Sequence, residues 1–376
     1  MAPTRLPERI ALVLGGGGLK GFAHIGAIRA LRERGIRPAV VAGSSIGALI
    51  AAAHAGGMGH EELEGRALAL KRRDLFRIDH MHMVTRRMQS PSLYLGGPLM
   101  DSVRAIVGPG TFRDLPMPLL VNTVDLERAM PVVWGLPGLQ DVEVADAVYA
   151  SCALPGFFPP RIVDGHTCAD GGVIDNIPAE PAAYGMDAVI AIDVGSTSLT
   201  QARHVEERGF AAVFVRAAQT MMRAMQLDAL VRWAGPPLLL VRPEVWRYGW
   251  FSFQHTRQII EAGYVAMHAA LDEAGGALAT GVRGVYPRRE VEVSVDRDRC
   301  IGCRLCATLA PGIMRMDYDG KAVVTRPSVE WSRADGDFVH RCPTKAIGVT
   351  AVEGDARRRT MEWQLMPDGD DIIATD

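Results

Sequence analysis

Gly43-Ser44-Ser45-Ile46-Gly47 carries the pattern G-x-S-x-G, and its flanks decide how it is read. In front runs Pro38-Ala39-Val40-Val41-Ala42, short and apolar enough for a buried strand. Behind runs a stretch from Ala48 to Ala55 made of good helix formers. Strand, tight turn and helix are the context that turns this pattern into a nucleophile elbow. Glycines at both ends permit the sharp turn and a close approach of strand to helix. The Ser45 hydroxyl would then stand at the top of a sheet, near the positive end of the following helix. A Ser/Gly-rich turn without chemistry is the competing reading, and the pentapeptide alone does not separate the two.

Upstream, Ile10 to Leu14 read as a second short buried strand, followed by Gly15-Gly16-Gly17-Gly18-Leu19-Lys20-Gly21 and a helix from Phe22 to Arg34 closed by Gly35. Strand, glycine loop, helix, strand, elbow, helix is a parallel α/β beginning. Further strands are expected at Leu119–Val124, Met130–Trp134, Asp187–Val194 and Leu238–Val241. Helices are expected at Val144–Cys152, Gly209–Val231 and Thr256–Glu273.

Gly16-x-Gly18-x-x-Gly21 satisfies the dinucleotide fingerprint, which also requires an acidic residue about 20 positions on, at the end of the second strand. That place holds Val40 to Ser45, with no carboxylate. The loop reads better as an oxyanion hole, since glycines present backbone N–H groups unobstructed by side chains. Lys20 reads as a solvated lysine at the helix start.

A nucleophilic serine needs a base, usually histidine. None of the ten histidines sits convincingly; His24, His54 and His166 each read as ordinary packed or solvated side chains. Asp170-Gly171-Gly172 is the better candidate, because an aspartate followed by two glycines can sit on a tight loop close to another backbone. Asp164 and Asp175 lie nearby without that flank.

The remaining composition bounds the molecule. The chain has 376 residues, 48% hydrophobic and 22% charged, an ordinary globular composition with room for a large and a small domain. A net charge of -2 provides no global field toward nucleic acid or an anionic membrane. No signal peptide or ~18-residue uncharged apolar window is read, which makes the cytoplasm the expected location, with peripheral, reversible contact at the inner membrane face. Met221, Met222, Met225, Trp246, Trp250 and Phe251 read first as plain core and second as an acyl channel or interfacial surface. His80, Met81, His82 and Met83 form a His/Met-rich piece.

Four of the six cysteines crowd the C-terminal part. Cys300-Ile301-Gly302-Cys303-Arg304-Leu305-Cys306 is C-x2-C-x2-C, and Cys342-Pro343 follows at a distance. Thiolates at such spacing suit a [4Fe–4S] cluster with a remote fourth ligand. Tetrahedral zinc is the rival, though zinc sites prefer two C-x2-C pairs. Cys152 and Cys168 read as buried structural thiols. The domain reading is 1–280, a linker at 281–290, a cysteine-bearing domain at 291–352 and a tail at 353–376.

In order, Gly16-Gly17-Gly18-Leu19-Lys20-Gly21, Gly43-Ser44-Ser45-Ile46-Gly47, the stretch Ala150-Ser151-Cys152-Ala153-Leu154-Pro155-Gly156-Phe157-Phe158-Pro159, and Asp170-Gly171-Gly172 resemble the four blocks of the patatin-like phospholipase family. The resemblance covers about residues 8 to 280. It implies a three-layer α/β fold with a mainly parallel sheet and a histidine-free dyad, with Ser45 as nucleophile and Asp170 taking its proton. Gly16, Gly17 and Gly18 would supply oxyanion donors, and the substrates would be phospholipids, lysophospholipids or other acyl esters. Residues 290 to 350 resemble a bacterial-type ferredoxin domain of small α+β fold, with Cys300, Cys303, Cys306 and Cys342 as ligands. Two-cluster ferredoxins continue the run with x3-C-P; here Ala310-Pro311 keeps the proline and lacks the sulfur, so one [4Fe–4S] cluster is expected. Two functions follow. One is a serine acyl hydrolase with an appended redox or regulatory domain. The other is an electron-transfer or redox-sensing protein, served by a redox partner protein, whose α/β domain only binds lipid or another acyl ester.

Overall fold

The computed structural model describes residues 6–77, 92–195, 207, 209–332 and 334–352. The His/Met-rich piece at 80–83 and the tail at 353–376 lie outside the described residues. Compact packing divides the described residues into a larger unit, up to Gln226 and again over Ala234–Gly284, and a smaller one, Leu227–Trp233 with the residues from Val285 on.

In the larger unit, the apolar runs at Ile10–Leu14 (β1) and Val40–Ser44 (β2) are strands with every residue buried, as expected where both faces of a sheet are covered. They join Leu119–Asp125 (β3), Met130–Trp134 (β4), Arg161–Val163 (β5), His166–Asp170 (β6), Ala188–Ile192 (β7) and Leu238–Val241 (β8). The order across the sheet is β5-β6-β3-β2-β1-β7-β8, with β4 paired to β3. The pairs β3-β2, β2-β1, β1-β7 and β7-β8 are parallel, while β4, β5 and β6 add antiparallel pairings on the β3 side. The sheet is thus mostly parallel, and sequence neighbours β1 and β2 stand next to one another at its centre. Sequence gave no access to β7 standing on the other side of β1, because that pairing joins segments far apart in the chain.

Helices Ala23–Glu33 (α1), Ile46–Ala55 (α2), His60–Ala69 (α3), Gly96–Val107 (α4), Val144–Cys152 (α5), Thr256–Leu278 (α7) and, as far as Gln226, Phe210–Val231 (α6) belong to this unit. Gly35 follows α1 at φ 70°, the left-handed conformation expected of a helix-closing glycine. Helices α1 and α7 approach so closely that a Cβ at Gly263 would stand 1.8 Å from the Ala23 carbonyl oxygen, and one at Gly26 would stand 1.9 Å from that of Ile260. Gly263→Val is therefore expected to force the helices apart at a cost of about 3 kcal/mol, read as a fall in denaturation midpoint at unchanged m-value.

The smaller unit is built on Arg288–Val295 (β9), which pairs antiparallel with Ser328–Ser332 (β12) and Ile347–Ala351 (β13). Helix Leu305–Leu309 (α8) and the hairpin Met314–Met316 (β10) and Ala322–Val324 (β11) complete it. Strand β9 begins inside the stretch expected as a linker. The reason is its alternation: Val291 and Val293 face the core while Glu290, Glu292 and Ser294 face out.

Candidate active site and cysteine centre

At the C-terminal ends of β1, β2 and β7 the chain turns sharply, and these turns lie together because the strands are neighbours. The elbow after β2 takes the tightest of them. Ser45 sits at φ 55°, ψ −130°, a conformation that non-glycine residues rarely adopt. The flanking glycines are steric requirements: a Cβ at Gly43 would meet the Gly47 carbonyl at 2.5 Å, and one at Gly47 would lie 2.1 Å from the Leu14 oxygen.

The strained serine is held from behind. Its N–H donates to Ser151 Oγ on α5 at 2.9 Å, and that hydroxyl donates to the Asn122 carbonyl on β3 at 2.7 Å. Asn122 Nδ2 in turn donates to the carbonyls of Gly171 at 3.2 Å and Asp175 at 2.6 Å. One chain of hydrogen bonds thus ties the elbow to the loop that follows Asp170. Ser151→Ala would leave the Ser45 N–H without its partner, a loss of about 1–3 kcal/mol that unfolding midpoints would register.

Asp170 ends β6 and is buried, 4% exposed. Its Oδ1 accepts from the Gly172 N–H at 2.8 Å, and the Ser45 side chain lies near enough to favour its charged form. Desolvation raises its pKa from 3.8 to about 6, against the opposing pull of the Gly172 N–H and the Ser45 hydroxyl. The structure brings these two residues together. The neighbouring aspartates stand apart from that arrangement. Asp164 is exposed at a hairpin turn, and Asp175 spends its Oδ1 on the Ile177 N–H.

The glycine loop is anchored by a residue that sequence reasoning missed. Asn176 Oδ1 accepts the Gly16 N–H at 3.1 Å, and its Nδ2 donates to the Gly16 carbonyl at 3.0 Å. Gly16 therefore differs from its neighbours: its N–H is committed to Asn176, whereas no hydrogen bond among the described residues engages the N–H of Gly17 or Gly18. A Cβ at Gly16 would stand 3.0 Å from the Ser45 Cβ, which places the loop against the nucleophile.

His24 is fully buried beneath this loop, where its Nε2 donates to the Gly15 carbonyl at 2.8 Å; burial lowers its pKa to about 4, so it is neutral. His166 pairs with Asp125 at 2.8 Å, as a packed histidine would. Lys20 departs from its expected solvated position. It is only 4% exposed, its Nζ donates to the Gly195 carbonyl at 3.3 Å, and desolvation lowers its pKa to about 8 against the attraction of Asp193. The thiol of Cys152 is pushed up by desolvation and then by the nearby Asp170 charge, so it stays protonated; Cys168 is buried.

Aromatic rings gather along one side of the loop. Phe76 packs against Tyr94, Phe158, Phe251 and Phe253 at centroid distances of 5.0, 5.7, 4.8 and 6.2 Å. Phe251 follows Trp250, whose carbonyl accepts the Leu19 N–H at 2.8 Å. The expectation of plain core fails for the methionines of α6: Met221 is 64% and Met225 43% exposed, together with Phe214.

In the smaller unit, Cys300, Cys303, Cys306 and Cys342 line one pocket, with Val295, Ile301, Met316 and Ile347 among its other walls. Gly302 turns the loop at φ 71°, where a Cβ would lie 2.4 Å from the Gly320 oxygen. Backbone N–H groups point at two of the sulfurs: Ala322 at Cys300 Sγ, 3.4 Å, and Ala346 at Cys342 Sγ, 3.3 Å. Such bonds stabilise thiolates that ligate iron. Among the described residues no group of three or more potential ligands closes on the spacing of a single metal ion. Four thiols around a shared apolar cavity fit a polynuclear cluster. No helix among the described residues is long and apolar enough to cross a membrane.

Comparison with known proteins agrees with both halves. Residues 12–183 match the family model of patatin-like phospholipase, and residues 293–349 match that of a 4Fe-4S single cluster domain. An uncharacterized NTE family protein of Mycobacterium tuberculosis is 38% identical over 204 residues, covering 53% of this chain and 52% of that protein. Human patatin-like phospholipase domain-containing protein 6 is 34% identical over 194 residues, covering 51% of this chain and 14% of that protein. The chain thus spans about half the length of the mycobacterial relative and a small part of the human one. Among solved structures, VipD from Legionella pneumophila aligns with 71% of this chain and 67% of its own, at 17% identity and a TM-score of 0.38. With the elbow, the glycine loop and the cysteine pocket in place, residues 12–183 of the chain are similar to patatin-like phospholipases and residues 293–349 to 4Fe-4S single cluster domains.

Proposed function

We propose that this protein is a serine acyl hydrolase acting on phospholipids, lysophospholipids or related acyl esters through a Ser45–Asp170 dyad. The observation that carries this reading is the placement of the strained Ser45 beside the buried Asp170 carboxylate, whose pKa is raised to about 6. Burial makes the Asp170 carboxylate a stronger base than a solvated one, matched to neutral pH. Ser45 Oγ attacks the ester carbonyl as Asp170 takes its proton. The developing oxyanion is met by the N–H groups of Gly17 and Gly18, with Gly16 held by Asn176 as the fixed end of the loop. Collapse expels the alcohol, which takes the proton back from Asp170 and leaves an acyl-serine. Water then attacks that ester as Asp170 takes its proton, and Asp170 hands the proton to Ser45 Oγ as the acid departs, restoring the dyad. The cluster of Phe76, Tyr94, Phe158 and Phe251 offers an apolar wall for the acyl chain. The exposed Phe214, Met221 and Met225 support peripheral contact with a lipid surface from the cytoplasmic side.

A fluorophosphonate ester tests the nucleophile directly. One phosphonyl adduct is expected per chain, on the peptide bearing Ser45; an adduct elsewhere, with Ser45 unmodified, would overturn the assignment. Asn176→Ala is expected to lower kcat about 10–100-fold with little change in KM, because its effect falls on the oxyanion loop.

In the smaller unit, Cys300, Cys303, Cys306 and Cys342 would hold one [4Fe–4S] cluster. Such a group supplies one-electron redox chemistry, toward a redox partner protein or as a sensor. The shared cavity and the N–H donors to sulfur support this ligand set.

A further inference from the structure

Helix α6 is amphipathic in the reverse of the usual sense. Its outward face carries Phe214, Met221 and Met225, while the stripe Arg216, Gln219, Arg223 and Gln226, at spacings of three and four, is turned inward and buried or half-buried. A helix that hides arginines and glutamines in this way faces something polar.

What it faces lies at the carboxyl ends of β7 and β8. Asp193 and Arg242 directly follow these paired strands, and Arg242 Nε donates to Asp193 Oδ2 at 3.1 Å. The Arg242 side chain is only 10% exposed, and among the described residues its buried Nη2 has no hydrogen-bond partner. Arg223 lies near enough to feel the charges of Arg242, Arg216 and Asp193, and burial together with the two neighbouring guanidinium groups lowers its pKa. Lys20 reaches the same place from the glycine loop, within the field of Asp193. His24, also within that field, is neutral. Among the described residues, Lys20, Arg223 and Arg242 thus all lie in the field of Asp193, with Arg216 beside Arg223. Buried positive charge in excess is costly unless an anion completes it. The place adjoins the active site, because Gly195, which holds Lys20, packs on Gly16: a Cβ there would lie 2.2 Å from the Gly16 oxygen.

We propose that Arg223 on α6 and Arg242, which follows β8, form a phosphate-binding site. Its occupant is the headgroup phosphate of the substrate, an identification that rests on the acyl-hydrolase reading, or inorganic phosphate. Guanidinium groups suit this role because their planar forks donate two hydrogen bonds to a phosphate at once. The orphaned Nη2 of Arg242 is such an unused donor.

Two measurements on the full chain test it. The first compares kcat/KM for 1-palmitoyl lysophosphatidylcholine with that for 1-palmitoylglycerol, which share the acyl group and differ in the phosphate. Arg223→Gln is expected to lower this ratio about tenfold or more, as loss of a charged hydrogen bond would. The second is the rise in melting temperature on adding inorganic phosphate, expected to be a few degrees in the native chain and lost in Arg223→Gln. Arg242→Lys, which keeps a cation beside Asp193 but removes the fork, is expected to weaken both readouts and serves if Arg223→Gln fails to fold. A phosphate-induced shift lost in the variant without a change in the ratio would assign the site to free phosphate. An unchanged ratio together with no phosphate-dependent shift would overturn the proposal. Absence of hydrolysis of both substrates, with the phosphate shift intact, would sink the hydrolase reading and leave the anion site standing.

Discussion

Ser45→Ala is expected to abolish release of fatty acid from lysophospholipid, by at least about 10³-fold in kcat, with the fold intact. Asp170→Asn should fall nearly as far, since an amide cannot take the proton. The two losses should not add, because each variant disables the same step. Retention of full activity in Ser45→Ala would remove the hydrolase reading altogether. The native pH profile carries the second half of the prediction. Asp170 must be ionised to act as base, so kcat/KM should climb about tenfold per unit below its apparent pKa near 6 and level off above it.

The same carboxylate has a stability signature of defined sign. Its pKa is raised in the folded chain from 3.8 to about 6, a difference equivalent to roughly 3 kcal/mol. A raised folded pKa means that the native state holds its proton more tightly, so this contribution is present in full below about pH 4 and is lost as pH rises through 6. Asp170→Asn, which carries no charge at any pH, should therefore gain melting temperature over the native chain at pH 8 and show little gain at pH 4. An inactive variant more stable than its parent is the mark of a group held in a costly environment for function. A variant equally destabilised at both pH values would show that Asp170 is structural.

The elbow was legible in sequence because its requirements are steric and local. Glycine at 43 and 47, an apolar strand before and a helix former after are all written within a short window. The same holds for the cysteine run. The hydrogen-bonded support was not legible. Ser151, Asn122 and Asn176 come from a helix, a strand interior and a loop, and only the sheet order brings them to Ser45 and Gly16. An asparagine in a strand that opens on the apolar run Leu119-Leu120-Val121, as at 122, is the one signal that could have marked it, since a buried amide needs partners. Lys20 and the methionines of α6 were misread for a shared reason. Hydropathy places lysine outside and methionine inside, yet Lys20 is enclosed by Gly195 and Asp193 while Met221 faces out. Both departures lie around the glycine loop or on the helix that borders the proposed phosphate site, where function can override the local rule.

Removal of the cluster is expected to have the largest effect on the smaller unit. Its core consists of few side chains, among them Val291, Val293, Met314, Trp331 and Phe338, and two of its buried members are the proposed ligands Cys300 and Cys306. A domain of this size gains little from its hydrophobic core alone and depends on a staple. The ligands come from both ends of the unit, so a bound cluster closes the loop between Cys306 and Cys342 and binding energy becomes folding energy. Anaerobically prepared protein should be brown, with a broad band near ~400 nm and about four iron atoms per chain. Cys300→Ser and Cys342→Ser should both lose the band, and near-ultraviolet circular dichroism from Trp331 should collapse with it, because Trp331 packs on Phe338 at 5.5 Å only while this core is intact. A colourless preparation holding one zinc ion per chain would overturn the cluster assignment. If the band were lost while the Trp331 signal and the unfolding midpoint of this unit stayed unchanged, the core would be self-sufficient and the cluster would serve electron chemistry without holding the fold.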